Sequence, residues 1–313
     1  MIKQSLLALV CAAAVTGASA TTSLGLGQYQ LSGNHALDAL GGLGLEASAV
    51  TYARDRGTLF FVGDEGGGVV EITRSGQFVS SMAFSGWPAR TSHHDAEGLA
   101  YLGAGVLVVG EERLQDAFRF AYVAGGSVDL ATAAWASVAD YAYNNVGMEG
   151  LSFDPRDGSF VAVKQDTPQV LFAGGLSFEA DADGGTSTMV ELANGVSLFG
   201  LNSLSDVQTL SPVDALAGTA AADHLLILSL DSRRLLEVDR AGAVFGSLDL
   251  APFTAQAIEG VTIDERGVIY LVAEDSGTPN SRLLVLTPVP EPATAGLLLG
   301  GLGLLAWRRR TQK

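Results

Sequence analysis

The sequence predicts an all-β chain folded as a β-propeller, with five four-stranded blades and six as the alternative. A repeated phrase is the first reason: Asp95-Ala96-Glu97-Gly98-Leu99-Ala100-Tyr101, Gly147-Met148-Glu149-Gly150-Leu151-Ser152-Phe153 and Ala257-Ile258-Glu259-Gly260-Val261-Thr262-Ile263. Two degenerate copies keep the apolar frame around Ser48 and Ser205 but carry serine in place of glutamate. The second reason is spacing. Steps between Ser48, Glu97, Glu149, Ser205 and Glu259 are 49, 52, 56 and 54 residues, the length of one blade with generous loops. The third is that no stretch between the two ends sustains a long 3.6-residue apolar period.

At the N-terminus Lys3 precedes an apolar run from Leu6 to Val15, and Ala18-Ser19-Ala20 supplies small residues for signal peptidase. Residues 1–20 therefore read as a secretory signal cut after Ala20, with Ala18 and Ala20 as the recognition pair. A lipoprotein signal on Cys11 is the weaker reading, because Val10 stands where a lipobox needs Gly or Ala.

Residues 21–288 form the propeller domain. Within each copy the pattern is strand, tight turn, strand: Ala49–Tyr52 then Thr58–Val62; Leu99–Leu102 then Val106–Val109; Leu151–Phe153 then Ser159–Val163; Val261–Ile263 then Val268–Val272. In the copy that begins at Leu204 the turn swells into Ser211–Asp223 before Leu225–Leu228. Third strands are expected at Gly68–Ile72, Gln169–Phe172, Arg234–Val238 and Arg282–Leu286, a short helix at Ala131–Ala142, and an exposed loop at Glu179–Gly185. The last copy leaves too few residues for a blade, and Thr22–Leu45 has about the missing length. The N-terminal strand is thus expected to complete the last blade and close the ring.

The remaining residues, 289–313, hold Val289-Pro290-Glu291-Pro292, an apolar stretch from Ala293 to Trp307, and Arg308-Arg309-Arg310. That stretch is short for a transmembrane helix, though the tryptophan and arginines make an interfacial, positive-inside stop. The order of these parts closely resembles a PEP-CTERM sorting signal, with Pro290, Glu291 and Pro292 as its motif. The resemblance implies a Gram-negative bacterium whose exosortase processes the tail, and a destination at the envelope surface or in the extracellular exopolysaccharide matrix. The membrane is then met only through this tail.

Removing both ends takes away Cys11, the only cysteine, so the exported domain has no disulfide and must rely on a large apolar core. It also removes five basic residues and one acidic residue from a chain of formal charge −16, leaving a net charge near −20. Such acidity excludes nucleic acid and anionic lipid as partners; it suits solubility, divalent cations or cationic ligands.

In a propeller the first strand of each blade lines the channel, and its start lies beside the end of the second strand. The ends of the second strands carry Asp64-Glu65, Glu111-Glu112, Gln165-Asp166, Asp231 and Glu274-Asp275. These acids are therefore expected at one mouth with Glu97, Glu149 and Glu259. Crowded carboxylates repel unless protonated, paired or metal-bound, and Arg113, Lys164, Arg54, His93 and His94 are the basic groups within reach of such a role. An all-oxygen ring suits Ca²⁺. The architectural alternative is that each glutamate accepts backbone N–H bonds from a neighbouring blade while the glycine permits close packing on the axis.

His93-His94 precedes Glu97, but adjacent strand residues point to opposite faces, so at most one histidine can join the ring. Asp181-Ala182-Asp183-Gly184-Gly185 is only a fragment of a calcium loop. There is no Gly-x-Ser-x-Gly, His-Glu-x-x-His or phosphate-binding glycine loop.

The phrase at Asp95–Tyr101, the strand Val108-Val109-Gly110-Glu111-Glu112-Arg113, Glu149–Pro155, and Leu204–Val207 with Leu225–Ser229 resemble the SdiA-regulated (YjiK-like) family of exported propellers. Esterase-like phytases and NHL propellers share the Glu-Gly-Leu frame. The resemblance implies a cell-envelope propeller with calcium as a candidate channel ion, and no firm reaction. Two functions stay open: a surface or matrix module that binds a cation, a small ligand or exopolysaccharide, and a metal-dependent phosphoesterase or lactonase. In the second, Glu97, Glu149, Glu259 and Glu112 would hold the metal and His93 or His94 would be the base. The lack of a recognisable nucleophile or base favours binding.

Overall fold

A computed structural model of the chain describes residues 23–37, 43, 45–64, 67–90, 93–142, 145–275 and 278–289. The expected signal segment and the sorting tail from Pro290 onward lie outside these residues.

The opening strand β1 (Tyr29–Ala36) precedes the first full blade, which contains β2 (Ala47–Ala53), β3 (Thr58–Gly63), β4 (Gly68–Ile72) and β5 (Phe78–Gly86). The second has β6 (Ala96–Gly103), β7 (Val106–Glu111) and β8 (Asp116–Ala121); after it β9 (Ser127–Asp129) returns to pair in parallel with β5, and β10 (Ala134–Ser137) completes the blade. The third has β11 (Met148–Asp154), β12 (Ser159–Lys164) and β13 (Gln169–Gly174), a small hairpin of β14 (Leu176–Ser177) and β15 (Thr186–Ser187), and outer strand β16 (Val190–Gly195). The fourth is β17 (Asp206–Thr209), β18 (Leu225–Ser229), β19 (Arg234–Val238) and β20 (Val244–Asp249). The fifth runs β21 (Ala257–Ile263), β22 (Ile269–Asp275) and β23 (Thr278–Pro288), with β1 as its outermost strand, antiparallel to β23.

The count is five, and the N-terminal strand closes the ring as expected. Ser23 Oγ and the Leu24 N–H, 2.7 and 2.8 Å from Glu237 Oε2, tie the incoming chain to β19. One expectation fails: the stretch Ala131–Ala142 is not a helix but holds strand β10 between turns and bends. Its residues pair with β8, Trp135 opposite Phe118, and so follow the sheet's period of two rather than a helical one.

Inner strands β2, β6, β11, β17 and β21 contact one another in that cyclic order. Between consecutive blades lies an apolar layer, and there are five such layers. Phe60 and Val62 of β3 pack with Leu107 and Val109 of blade two, whereas Leu59 and Phe61 of the same strand pack with Tyr270 and Val272 of blade five. A strand buried on both faces reads as a continuous apolar run, which is why Leu59-Phe60-Phe61-Val62 shows no alternation. The insert after Leu210 buries Val213, Leu216, Ala221 and Ala222 in the layer between blades four and five. It belongs to the core.

Candidate functional site

The Glu-Gly phrase is the sequence of a β-bulge. In blade two the ladder pairs Ala96 with Glu111 and Gly98 with Gly110, so Glu97 is the extra residue. The same skip falls at Glu149, at Glu259 and at Ser48. In blade four the Ser205 N–H bonds the carbonyl of Leu228, the residue that also pairs with Asp206. A bulge locally re-aims side chains, and here it turns the phrase residues towards one another across the channel.

The glycine after each glutamate permits the neighbouring inner strand to approach. A Cβ on Gly150 would lie 2.4 Å from Asp206 Oδ1 and 2.6 Å from its Cα; one on Gly260 would lie 2.8 Å from the Ser48 carbonyl oxygen. This is the architectural half of the phrase.

The phrase glutamates stand among other carboxyl groups. Glu97 faces Glu259, Asp64, Glu112 and Asp95; Glu149 faces Glu97, Glu112 and Glu259; and Glu259 faces Glu274, Asp64 and Glu46. All three are half-buried. Burial first, and repulsion by these neighbours second, push Glu97 and Glu149 well above the ordinary carboxyl range and Glu259 up to about 8. Glu149 donates a carboxyl–carboxyl hydrogen bond to Glu112, whose Oε1 also accepts the Gly147 N–H at 3.2 Å.

The predicted acids divide. Asp64, Glu112 and Glu274 act on the three glutamates. Glu111 does not lead among them: strand alternation turns it away from Glu112, its carboxyl accepts the Leu114 N–H at 2.7 Å, and burial raises it to about 7. Asp166 is spent on the Thr167 N–H at 2.7 Å, and Asp231 is exposed at a turn. Glu65 and the side chain of Asp275 lie outside the described residues.

Two acids that sequence reasoning did not assign to the site also face it, Asp95 and Glu46. Each stands two residues before the phrase position, so the signal was present in the repeat itself. Asp95 also pairs with Arg113.

Among the basic groups, the fully buried Lys164 faces Asp166, Glu149 and Glu112; its ammonium bonds the carbonyls of Asp166 and Pro168, and burial lowers its pKa. Arg54 is paired with Asp214 at 2.9 Å, far along the first strand from the ring. His94 stacks on Trp87 with centroids 5.2 Å apart, burial lowers its pKa, and His93 is exposed. Neither histidine is among the groups that act most strongly on the glutamates. Asp181 accepts the Asp183 N–H at 3.1 Å in a local turn.

Asp206, which replaces the phrase glycine in blade four, is the carboxylate that braces the ring. Its oxygens accept the N–H of Val207 and of Val261 in the next blade, both at 2.7 Å. Burial raises its pKa well above the usual range against the pull of those two bonds.

The oxygen donors at the mouth are chemically right for Ca²⁺. Among the described residues, however, no three acidic, histidine or cysteine side chains stand close enough together to hold a metal ion.

A closed five-bladed propeller with one acidic mouth defines the class. The C-terminal residues 288–310 match the PEP-CTERM protein-sorting motif, which marks an exported, envelope-associated protein processed by exosortase. The chain belongs to the SdiA-regulated family, matched over residues 22–280.

Among solved structures it is similar to luciferin-regenerating enzyme (9% identity, TM-score 0.44, over 82% of this chain and 95% of that one). It is also similar to streptogramin B lyase (12%, 0.43, 85% and 75%) and to virginiamycin B lyase from Staphylococcus aureus (12%, 0.39, 78% and 66%). Among the described residues no helix is long and apolar enough to cross a membrane; the expected tail helix lies outside them.

Proposed function

We propose that this protein is a binding module displayed at the outer surface or in the extracellular matrix, and that its acidic channel mouth receives a cation. One observation carries the reading: Glu97 and Glu149 are crowded by Glu112 and Glu259, and Glu259 by Glu274 and Asp64, while burial and repulsion raise all three well above the usual carboxyl range. A site that retains protons so strongly is short of positive charge, and an entering cation displaces those protons. Ca²⁺ is the first cation to test, with the glutamates rotating inward from their present spacing to ligate it. Hydrolysis at the same ring would need a base beside the carboxylates, whereas His94 is stacked on Trp87.

Because protons and cation compete, affinity rises with pH. Melting of the full chain should shift upward in millimolar Ca²⁺ at pH 9, shift little at pH 6, and not shift in Glu97→Gln or Glu149→Gln. An unchanged melting temperature with Ca²⁺ at pH 9 would remove calcium from the reading. If a panel of di- and polyamines also gave no shift, the cation mouth would go with it.

A further inference from the structure

The first strands have two ends, and the end opposite the acidic ring opens into a cavity of about 530 Å³ lined by residues of all five blades. From its placement and lining we propose that this second mouth is a binding site for a neutral sugar ring, free or at the end of a polysaccharide chain. The site does not depend on the acidic mouth, since it is built from different positions of the repeat.

Its floor comes from the residue three places after each bulge. Thr51 Oγ1 accepts the Tyr101 N–H at 3.2 Å and Ser152 Oγ accepts the Thr209 N–H at 3.2 Å, each from the next blade. Thr262 Oγ1 accepts the Tyr52 N–H at 3.1 Å and donates to Gln208 Oε1 at 2.9 Å. A hydroxyl has one donor and two acceptor lone pairs. Thr262 has therefore spent its hydrogen, whereas Thr51 and Ser152 accept one backbone bond each and keep an O–H to give. These donors are buried, held in place by the backbone, and border the cavity.

The walls are aromatic. The Tyr101 hydroxyl accepts the Gly105 N–H at 2.8 Å and its ring stacks on Phe60. The Tyr52 hydroxyl bonds Arg74, whose guanidinium lies 4.8 Å over the ring. With both hydroxyls engaged, these residues and Phe153, which pack into the interblade layers, border the cavity with apolar side-chain surface.

The charged groups at this mouth already have partners. Arg54 is bridged to Asp214, and Asp55 accepts the Ala104 N–H at 3.0 Å and the Tyr101 hydroxyl. Asp55 disfavours an anion while Arg54 is engaged by Asp214, and a purely apolar guest would leave two buried hydroxyl hydrogens unmet. A ligand with apolar faces and several hydroxyl acceptors satisfies both surfaces, and the volume lies within the range of small-molecule sites.

Saturation-transfer NMR and calorimetry on the full chain, held in a detergent without a sugar headgroup, test the proposal. The probes are neutral mono- and disaccharides (glucose, galactose, mannose, N-acetylglucosamine, maltose, cellobiose) and purified neutral polysaccharide. At least one probe should bind saturably. Binding of the small sugars points to a free ligand, and binding of polysaccharide alone to a chain end.

Thr51→Val and Ser152→Ala should each weaken binding about tenfold. Because both also anchor a backbone N–H, Pro155→Trp, which puts an indole at the exposed rim, is the control that should abolish binding without lowering the melting temperature. Binding that survives Pro155→Trp unchanged, or no binding by any probe, overturns the proposal.

Discussion

The sharpest prediction concerns Glu259. Its carboxyl is raised from the usual 4.5 to about 8, by burial first and then by Glu274 and Asp64. In the unfolded chain it titrates normally. Between those two values the folded state therefore holds a proton that the unfolded state has lost, and stability falls as pH rises through the folded value. The contribution is fully present below pH 4.5 and gone above about pH 8.

At 1.36 kcal/mol per pH unit the full displacement corresponds to ~5 kcal/mol. Channel water reaching the side chain screens it, so roughly 2 kcal/mol is a realistic measured loss. For a domain of this size that is about 4–8 °C in melting temperature.

Glu259→Gln imitates the protonated acid. It should melt with the wild type at pH 5 and above it by that amount at pH 9. Melting curves by circular dichroism at half-unit pH steps decide the matter. Asp154 and Glu265, whose pKa values are lowered, stay ionised across this window and do not confuse it. A wild-type melting temperature that is flat or rises from pH 5 to 9, or a variant that falls as steeply, refutes the reasoning.

Three further outcomes follow from the ring's construction. Asp206→Ala should cost about 3 kcal/mol in chemical denaturation, because it orphans the buried Val261 N–H, while Asp206→Asn, whose one oxygen can accept the Val261 N–H but whose amide then meets the Val207 N–H, should cost less, about 1–2 kcal/mol. Gly150→Ala should destabilise by about 3 kcal/mol or prevent folding, since its Cβ would meet the Asp206 backbone at 2.6 Å; expression and urea midpoint report it. Removing residues up to 36 should expose the β23 edge and convert a cooperative melt into an aggregating one, checked by light scattering during the melt.

The fold was legible because the repeat constrains it many times over. The phrase sets the blade length, and the missing part of the last blade matches a spare strand at the N-terminus. Ala131–Ala142 was misread because its alanines suit a helix locally while the edge of β8 offers Trp135 a partner that propensity does not record. At the acidic mouth the registers were legible and the faces were not. Glu111 and Glu112 are adjacent, and only the pleat decides that Glu112 joins Glu149 while Glu111 caps its own turn. The importance of Asp206 was hidden because it breaks the pattern, occupying the place of a glycine in the blade whose glutamate had become serine.

The bulge is what makes the two mouths compatible. In a regular strand the phrase glutamate and the residue three places later point to opposite faces. One extra residue at the glutamate shifts the phase, so that Glu149 and Ser152 both address the channel while Leu151, between them, enters the apolar layer between blades two and three. The same holds for Glu259, Thr262 and Val261. A repeat that looks like a single motif thus builds an acidic ring at one end of the axis and a hydroxyl belt at the other. Three of the five positions carry the hydroxyl, Thr51, Ser152 and Thr262, while Ala100 and Gln208 stand in the other two. Ser152→Ala would therefore take an O–H from the floor of the second mouth without touching the first. It should weaken sugar binding and leave the pH dependence of melting unchanged, and a change in that pH dependence would show that the two ends are not separable.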